Sequence, residues 1–458
     1  MRPRGARLRA GRRWTRATVA AGSVAVLGAF TACSTTAEEG PVDDGVLTIA
    51  TVENGDILRM QELADQYLAD HPDVEIEWVT LPEGELRQRV TTDIATGAGQ
   101  FDIVMLGAYE TTIWGGRDWL VPLDDMPAEY ELDDVLPTVR EALSLDGSLY
   151  ALPFYAESSF TMYRTDLFEA RGIELPEQPT WDDLLAAAPE ISFSSSFTGD
   201  PFCLRGKPGW GENTALITAM ANSYGGRWFD EEWTPQLDSE AWAQTMATYA
   251  GLGTYAGADV AEQGYNENLA RFQAGECAIW VDATAAGSFV TDPEVSSVAD
   301  DVGFAAAPDA GGDRGSNWLW AWALAIPTSS VQQEEARDFI GWATGPEYSE
   351  LVAAEHGWAH VPPGTRTSLY ENPDYLEAAP FAELTLAAIE AADPENPTTE
   401  PVPYTGIQYV AVPEFQGMGT AVGQQFTDVL TGDRTPEEAL ENSQWVTAKI
   451  AERIRFIE

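Results

Sequence analysis

The feature that most constrains the fold is an alternation of two hydrophobic periods that begins at residue 46. "VLTIATV" is an apolar, β-branched run of strand length. "DILRMQELADQYLADH" instead places Ile57, Met60, Ala64, Tyr67 and Leu68 on one helical face. "VEIEWVTL", "GELRQRVTTDIATG" and "FDIVML" then repeat strand, helix and strand. Strands separated by helices predict the α/β class, with parallel strands flanked by helices. In such sheets ligands sit beyond the carboxyl ends of the strands, which puts Asn54, Asp56, Tyr109 and Glu110 at a rim. Later signals include "TWDDLLAAA", where Thr180 caps and Asp183 reaches back, and "TPEEAL", where Thr435 caps and Pro436 fills the first turn. The globular part, about 410 residues, is too long for one core and predicts two lobes.

The chain opens with seven arginines and no acid in 16 residues, followed by "ATVAAGSVAVLGAFTAC". A basic segment, a short apolar run and small exit residues predict a secretory signal over residues 1–32 and an exported protein. "FTAC" resembles a bacterial lipobox, with Phe30 where leucine is usual, so Cys33 is the expected lipidation site. Two acyl chains there would give a stable tether to the outer face of the cytoplasmic membrane. Residues 33–45, small and acidic, read as a flexible leash. No later segment reads as a membrane span.

Without the leader's arginines, 18 basic residues face 74 acidic ones. Nucleic acid and anionic membrane surfaces are poor partners for such a field, and a solvated acidic surface accounts for most of the charge. Outside the cell, Cys203 and Cys277 are expected to pair as a disulfide. The three histidines include His356 and His360 in "HGWAH", but the intervening glycine and the following "VPPG" argue against a helix and against a metal site. No G-x-S-x-G, P-loop or dinucleotide fingerprint is present, so no cofactor is expected. A carboxylate pair for glycoside hydrolysis stays open among so many acids.

Short segments instead mix aromatics with amides, carboxylates and arginine: "VENGD", "GAYETTIWG", "PFYAESSFTMYR", "GYNENLARF", "WVDATAAGSF" and "PYTGIQYVAVPEFQ" among them. Hydroxyl-rich ligands call for that mixture, because each buried hydroxyl needs hydrogen-bond partners while C–H faces take aromatic cover. In "NWLWAW", an extended chain puts Trp318, Trp320 and Trp322 on one face, suited to a buried ridge or to stacking on a carbohydrate.

"WVTLPEGELRQRVTTDIATGAGQFDIVMLGAYE", "LPFYAESSFTMYRTDLF", "CLRGKPGWGEN", "GYNENLARFQAGECAIWVDAT", "NWLWAWALAIP", "GWAHVPPGTRTSLY" and "PVPYTGIQYVAVPEFQGMGTAVGQQF" occur in order over nearly the whole mature chain. In these the sequence resembles the sorbitol/mannitol-binding proteins of ABC importers, a branch of the maltose-type extracellular solute-binding family. It departs at "VEN", where many of those proteins carry an asparagine pair, a change at Glu53 that bears on ligand preference.

The resemblance implies a two-lobed clamshell of the class II periplasmic-binding type, each lobe a mostly parallel sheet flanked by helices. One lobe would take residues 43–153 and 309–348, the other 154–308 and 349–458, with crossings near Pro153 to Glu157, near Pro308 and after "EEARDFIGWAT". It also implies a monomer that delivers a polyol to ABC permease subunits without chemistry. The site would draw Asn54 and Glu110 from one lobe, Glu157 from the hinge strand, and Arg205, Trp210 and Asp282 from the other. Tyr155, Trp318 and Trp320 would cover the carbon chain, Arg366 is a further donor, and Trp322 belongs to the core. A binding protein for a cyclic mono- or disaccharide, a membrane-tethered glycosidase and a surface lectin are the competing readings.

Overall fold

A computed structural model describes residues 45–193, 197–312 and 314–454. The leader (1–32), Cys33 and the leash up to residue 44 lie outside the described residues. The opening alternation folds as β1 (Val46–Val52), α1 (Gly55–Asp70), β2 (Glu75–Leu81), α2 (Glu83–Thr96), β3 (Ile103–Leu106) and α3 (Ala108–Gly115). α1 starts where Asn54 Oδ1 accepts from Ile57 N at 2.9 Å. It buries Ile57, Met60, Leu63, Ala64 and Tyr67, with Leu68 half-buried at the edge of that face. Because α1 and α2 return the chain to the same end of the sheet, β1 pairs in parallel with β2 and β3.

The chain continues through β4 (Leu152–Glu157), β5 (Ser159–Arg164), α4 (Trp181–Ser192), β6 (Asp200–Cys203), α5 (Asn213–Ser223), α6 (Glu240–Gly253), α7 (Tyr265–Gln273), β7 (Cys277–Ala283), β8 (Val302–Ala306) and β9 (Trp320–Ala325). It ends with α8 (Gln333–Ala343), α9 (Pro346–His356), α10 (Phe415–Leu430) and α11 (Pro436–Ile454), short helices and a small hairpin filling the gaps. Thr180 and Asp183 cap α4 reciprocally, and Thr435 and Glu438 do the same for α11.

Two sheets result, in the orders β2-β1-β3-β9-β4 and β8-β5-β7-β6. They are mixed rather than mostly parallel. β9 runs antiparallel to β3 and β4, and β5 antiparallel to β7 and β8, while β6 and β7 are parallel. The physical reason lies in how the chain changes sheets. β4 ends at Glu157 and β5 begins at Ser159, so only Ser158 separates the two sheets, with no crossover helix between. A strand that enters its sheet from the cleft must run against strands that end there, and Trp320 at the start of β9 pairs with Glu157 at the end of β4. The crossing is tied by Ser158 N donating to Thr284 Oγ1 at 3.2 Å and Thr284 N to Ser158 O at 2.9 Å.

The second half is centred on fully buried indoles, Trp181, Trp228, Trp242 and Trp280, with Trp228 set edge-on to Trp242 at 5.3 Å and to Phe415 at 5.2 Å. α9 stops at His356 before Gly357, whose φ of 91° no helix accommodates, and His360 sits in a separate short turn. No cluster of metal-ligating side chains occurs among the described residues. No helix among them is long and apolar enough to cross a membrane.

Cys203, ending β6, and Cys277, opening its parallel neighbour β7, form a disulfide with a Cα–Cα separation of 5.6 Å. It spans 74 positions of sequence, a loop whose closure is worth about 4 kcal/mol on the chain-entropy account. We expect the Cys203→Ala/Cys277→Ala protein to unfold at markedly lower denaturant, by about 2–4 kcal/mol, in equilibrium chemical unfolding. Equal midpoints for the two proteins would show that the bridge carries no stability.

Candidate ligand-binding cleft

Where the two sheets face each other lies a cavity of about 280 Å³. The first half lines it with Asn54 after β1, Glu83 and Arg87 from α2, and Tyr155 and Glu157 from β4. The second half contributes Arg205, Lys207, Trp210, Gly211 and Glu212 from the β6–α5 connection and Tyr265 to Glu267 from the start of α7. Trp318, Trp320, Trp322 and Gln408 complete the wall. This is the strand-end location that the α/β pattern implies.

All three tryptophans of "NWLWAW" face the cavity. Trp322 is therefore not a core residue alone: the cavity reaches two residues along β9, and the strand's alternation brings Trp322 to the same face as Trp320. The Trp320 ring centroid lies 5.6 Å from that of Trp322 and 5.9 Å from that of Trp210. Trp320 reaches this position because the β3–α3 junction is Gly107. A Cβ there would stand 1.9 Å from the Trp320 ring.

The polar groups are organised around two arginines. Arg205 donates from Nε and Nη2 to the two oxygens of Asp282, at 2.8 and 2.5 Å, and from Nη1 to Gly211 O at 3.0 Å. Burial works against its charge, but Asp282 outweighs that and holds the guanidinium above its ordinary range. Asp282 is wholly buried, also accepts from Trp280 Nε1 at 2.9 Å, and is not among the lining residues. It stands behind Arg205.

Glu110 has the corresponding place in the first half. Its Oε1 accepts from Arg87 Nη1 at 2.5 Å and its Oε2 from Gly107 N at 3.1 Å, so it closes the start of α3 and backs Arg87 without reaching the cavity. Arg87 also donates from Nε to Glu83 Oε1 at 2.9 Å. Its guanidinium carbon lies 4.0 Å from the Trp210 ring centre and 4.8 Å from those of Trp320 and Trp322.

Asn54 spends its oxygen on the α1 cap and donates from Nδ2 to the Tyr155 hydroxyl at 2.9 Å, which leaves the Tyr155 proton available to another acceptor. Glu157 has no hydrogen-bond donor among the described residues, although it is only 8% exposed. Burial, opposed by Arg205 and reinforced by Asp282, Glu83 and Asp56, pushes its carboxyl up to about 8. Gln408 donates to Leu319 O at 2.8 Å, and its carbonyl oxygen lacks a partner. Lys207 is paired with Glu212 at 3.2 Å.

Arg366, expected as a donor, is not brought to the cavity. It is buried beside the Tyr130 ring, donates to Glu131 O at 3.3 Å and Thr344 O at 3.2 Å, and lies 3.6 Å from Asp134. Its two Nη groups are taken up inside the protein, tying the segment after α9 to the first half, and its Nε has no partner among the described residues. Conversely, the sequence reading missed Glu83, Arg87, Tyr265 and Gln408. Glu83 and Arg87 follow β2 directly at i,i+4 spacing, the same strand-end position that singled out Asn54 after β1, and that rule applied to β2 finds them.

The cations in the wall are all answered by carboxylates, and among the described residues no serine, cysteine or histidine lines it. A neutral molecule that donates and accepts hydrogen bonds fits this balance better than an ion.

The family model described as bacterial extracellular solute-binding protein matches residues 54–350. A mannitol-binding protein of Pseudomonas aeruginosa is 51% identical over 411 residues, which cover 90% of this chain and 94% of that protein. The crystal structure of an ABC transporter solute-binding protein from Agrobacterium vitis S4, with bound D-mannitol, is 53% identical and superimposes with a TM-score of 0.87, covering 89% of this chain and 99% of that one. Maltose-bound MalE3 of T. maritima shares the fold at 24% identity and a TM-score of 0.75, covering 90% of this chain and 100% of its own. The two sheets, the cleft between them and these likenesses together place the chain in the bacterial extracellular solute-binding protein family.

Proposed function

We propose that the chain captures an open-chain sugar alcohol of the mannitol or sorbitol type in the cleft and delivers it to the permease of an ABC importer. It does so as a monomer held through Cys33 at the outer face of the cytoplasmic membrane. The observation that carries this reading is the unspent hydrogen-bonding capacity of the cavity wall: the Glu157 carboxyl, the Tyr155 proton, the Gln408 carbonyl and the remaining N–H groups of Arg205, all set among indoles. A polyol offers one donor and two acceptor sites per hydroxyl along an apolar C–H chain, which is what such a wall can satisfy. The mannitol-binding relative and the mannitol-bound neighbour, each more than half identical, support the same ligand class.

The family's members are solute-binding proteins, so the work is binding and release rather than bond cleavage. Arg205 donates to vicinal hydroxyls in a geometry fixed by Asp282, Glu157 accepts from them, and Trp318 and Trp320 cover the carbon chain. The lobes move about the crossing at Ser158 and about the segments that precede β9 and follow α8. Closure is favoured only to the extent that the ligand binds the closed state more tightly.

Titration calorimetry with D-mannitol, D-sorbitol and maltose tests the reading. We expect saturable single-site binding of an alditol and a ligand-dependent rise in melting temperature. Heat with maltose and none with either alditol would reject it. Asp282→Ala should weaken alditol binding and also lower the melting temperature, since it strands Arg205 in a buried site.

Glu157 supplies a second test. Its carboxyl is held up at about 8 against an ordinary 4.5, so the folded form keeps a proton that the unfolded chain releases. Stability from this source is present at low pH and is lost as pH rises from about 4.5 through about 8. Glu157→Gln stays neutral throughout. The melting temperature of the ligand-free variant should therefore gain on the wild type between pH 5 and pH 9, while its alditol affinity falls roughly tenfold or more. A constant difference in melting temperature across that range would remove Glu157 from the buried wall.

A further inference from the structure

We propose that Arg87, Trp210 and Gly211 form the contact by which the two halves hold each other shut, with Arg87 as the residue that positions it. The inference rests on the capture reading for its purpose, but its geometry is independent of which ligand is bound. Arg87 belongs to α2 in the first half, and both carboxylates that hold it, Glu83 and Glu110, belong to that half as well. The indoles packed on it come from both halves: Trp320 and Trp322 from β9, and Trp210 from the β6–α5 connection, at 4.0 Å the nearest of the three. When the halves separate, Arg87 loses Trp210 and the Gly211 backbone beside it and keeps both carboxylates. No charge is left unpaired, so the contact can break and re-form without the penalty of stranding a buried ion. A guanidinium screened from water is also a stronger partner for an indole face than an exposed one.

Next to Trp210, the backbone of Gly211 meets the first half at Glu83. A Cβ at Gly211 would stand 2.0 Å from Glu83 Oε1, so a larger residue there would push the Glu83 carboxylate from its place on Arg87. On its own side Gly211 is held by Arg205, whose Nη1 donates to Gly211 O at 3.0 Å. Arg205 thus faces the cavity with part of its fork and fixes the contact loop with another. The arrangement links an occupied cavity to a closed cleft: a group that orders Arg205 also orders the peptide that meets Glu83 and Arg87. Asn266 Nδ2 donating to Glu53 O at 3.3 Å marks a second point where the halves touch, away from Arg87, and serves as a reporter.

The test uses the full chain carrying Glu53→Cys and Asn266→Cys, treated with a short bifunctional thiol linker, with the linked peptides quantified by mass spectrometry. Linking is compared with and without D-mannitol in otherwise wild-type, Arg87→Met, Arg87→Lys and Gly211→Ala backgrounds. Release of mannitol is followed by stopped-flow tryptophan fluorescence in the same substitutions without the cysteines. Arg87→Met and Gly211→Ala should reduce linking in the ligand-free protein and speed mannitol release about tenfold, with association changed much less. Arg87→Lys should behave like Arg87→Met, because an ammonium cannot bridge both carboxylates and present a flat face to Trp210. If Arg87→Met fails to fold by circular dichroism, Gly211→Ala and Arg87→Lys decide the matter. Wild-type linking and release in folded Gly211→Ala and Arg87→Lys would overturn the proposal. Should the wild type bind no alditol, the capture reading fails, and the ligand-free linking yields still decide whether this contact holds the halves.

Discussion

The Arg205–Asp282 pair is the interaction on which the cleft depends. A buried ion pair is weak evidence for stability, since removing two charges from water costs about as much as their attraction returns. Its value here is geometric. Asp282 lies on β7 with both oxygens turned to Arg205 and a further bond from Trp280, so the carboxylate cannot rotate to any other partner without breaking several bonds at once. The guanidinium plane is then fixed relative to the second sheet, and the strand-end loop carrying Trp210 and Gly211 is fixed relative to the guanidinium. Glu110 does for Arg87 in the first half what Asp282 does for Arg205 in the second. The cavity lies between two such posts, each anchored to its own sheet, so the distance between them is set by closure.

Tryptophan has two roles that the same residue type makes hard to separate. Trp181, Trp228, Trp242 and Trp280 are fully buried and build the second half's core, whereas Trp210, Trp318, Trp320 and Trp322 are nearly as buried yet face the cavity. Burial therefore does not distinguish core from site. What distinguishes them is the chemistry on the other side of the ring. The cleft indoles each carry an arginine guanidinium over the ring, Arg87 over Trp210, Trp320 and Trp322 and Arg205 over Trp318, and among the described residues none of the four core indoles does.

Much of the architecture was legible because it follows from local rules. The alternation from β1 to β3 dictated helices and parallel strands, Thr180 with Asp183 and Thr435 with Pro436 announced helix starts, and the two tryptophans nearest the start of β9 sit where the strand pattern sends them. What was not legible is non-local. The antiparallel course of β9 depends on its entry from the other sheet, which no window of sequence reveals. Arg366 and Arg205 look alike along the chain, each in a glycine-containing loop with hydroxyl or amide neighbours. One finds its acceptors at Glu131 and Thr344 and the other at the cavity wall, and only the packing separates them. Asp282 and Glu110 were right in their neighbourhood but one layer too deep, because proximity to a ligand and proximity to the arginine that faces it leave the same trace in sequence.

The chain's overall acidity and the local pairing of charges in its cleft are separate facts. Most carboxylates lie on the outside, where water and salt reduce their influence over about 8 Å at physiological ionic strength. In the cleft wall each cation is answered locally, Arg87 by Glu83 and Glu110, Arg205 by Asp282 and Lys207 by Glu212, and carboxylates are in excess, with Glu53, Glu157 and Glu267 also lining the cavity. An anionic solute entering this space would meet arginines already paired with carboxylates, and further carboxylates in the wall. A cation would find Arg205 beside Glu157, whose carboxyl burial keeps protonated up to about 8. A neutral polyol faces neither cost and can use Glu157 in either protonation state, since a hydroxyl both donates and accepts. On the proposed reading, specificity comes from matching unpaired hydrogen-bonding groups one by one.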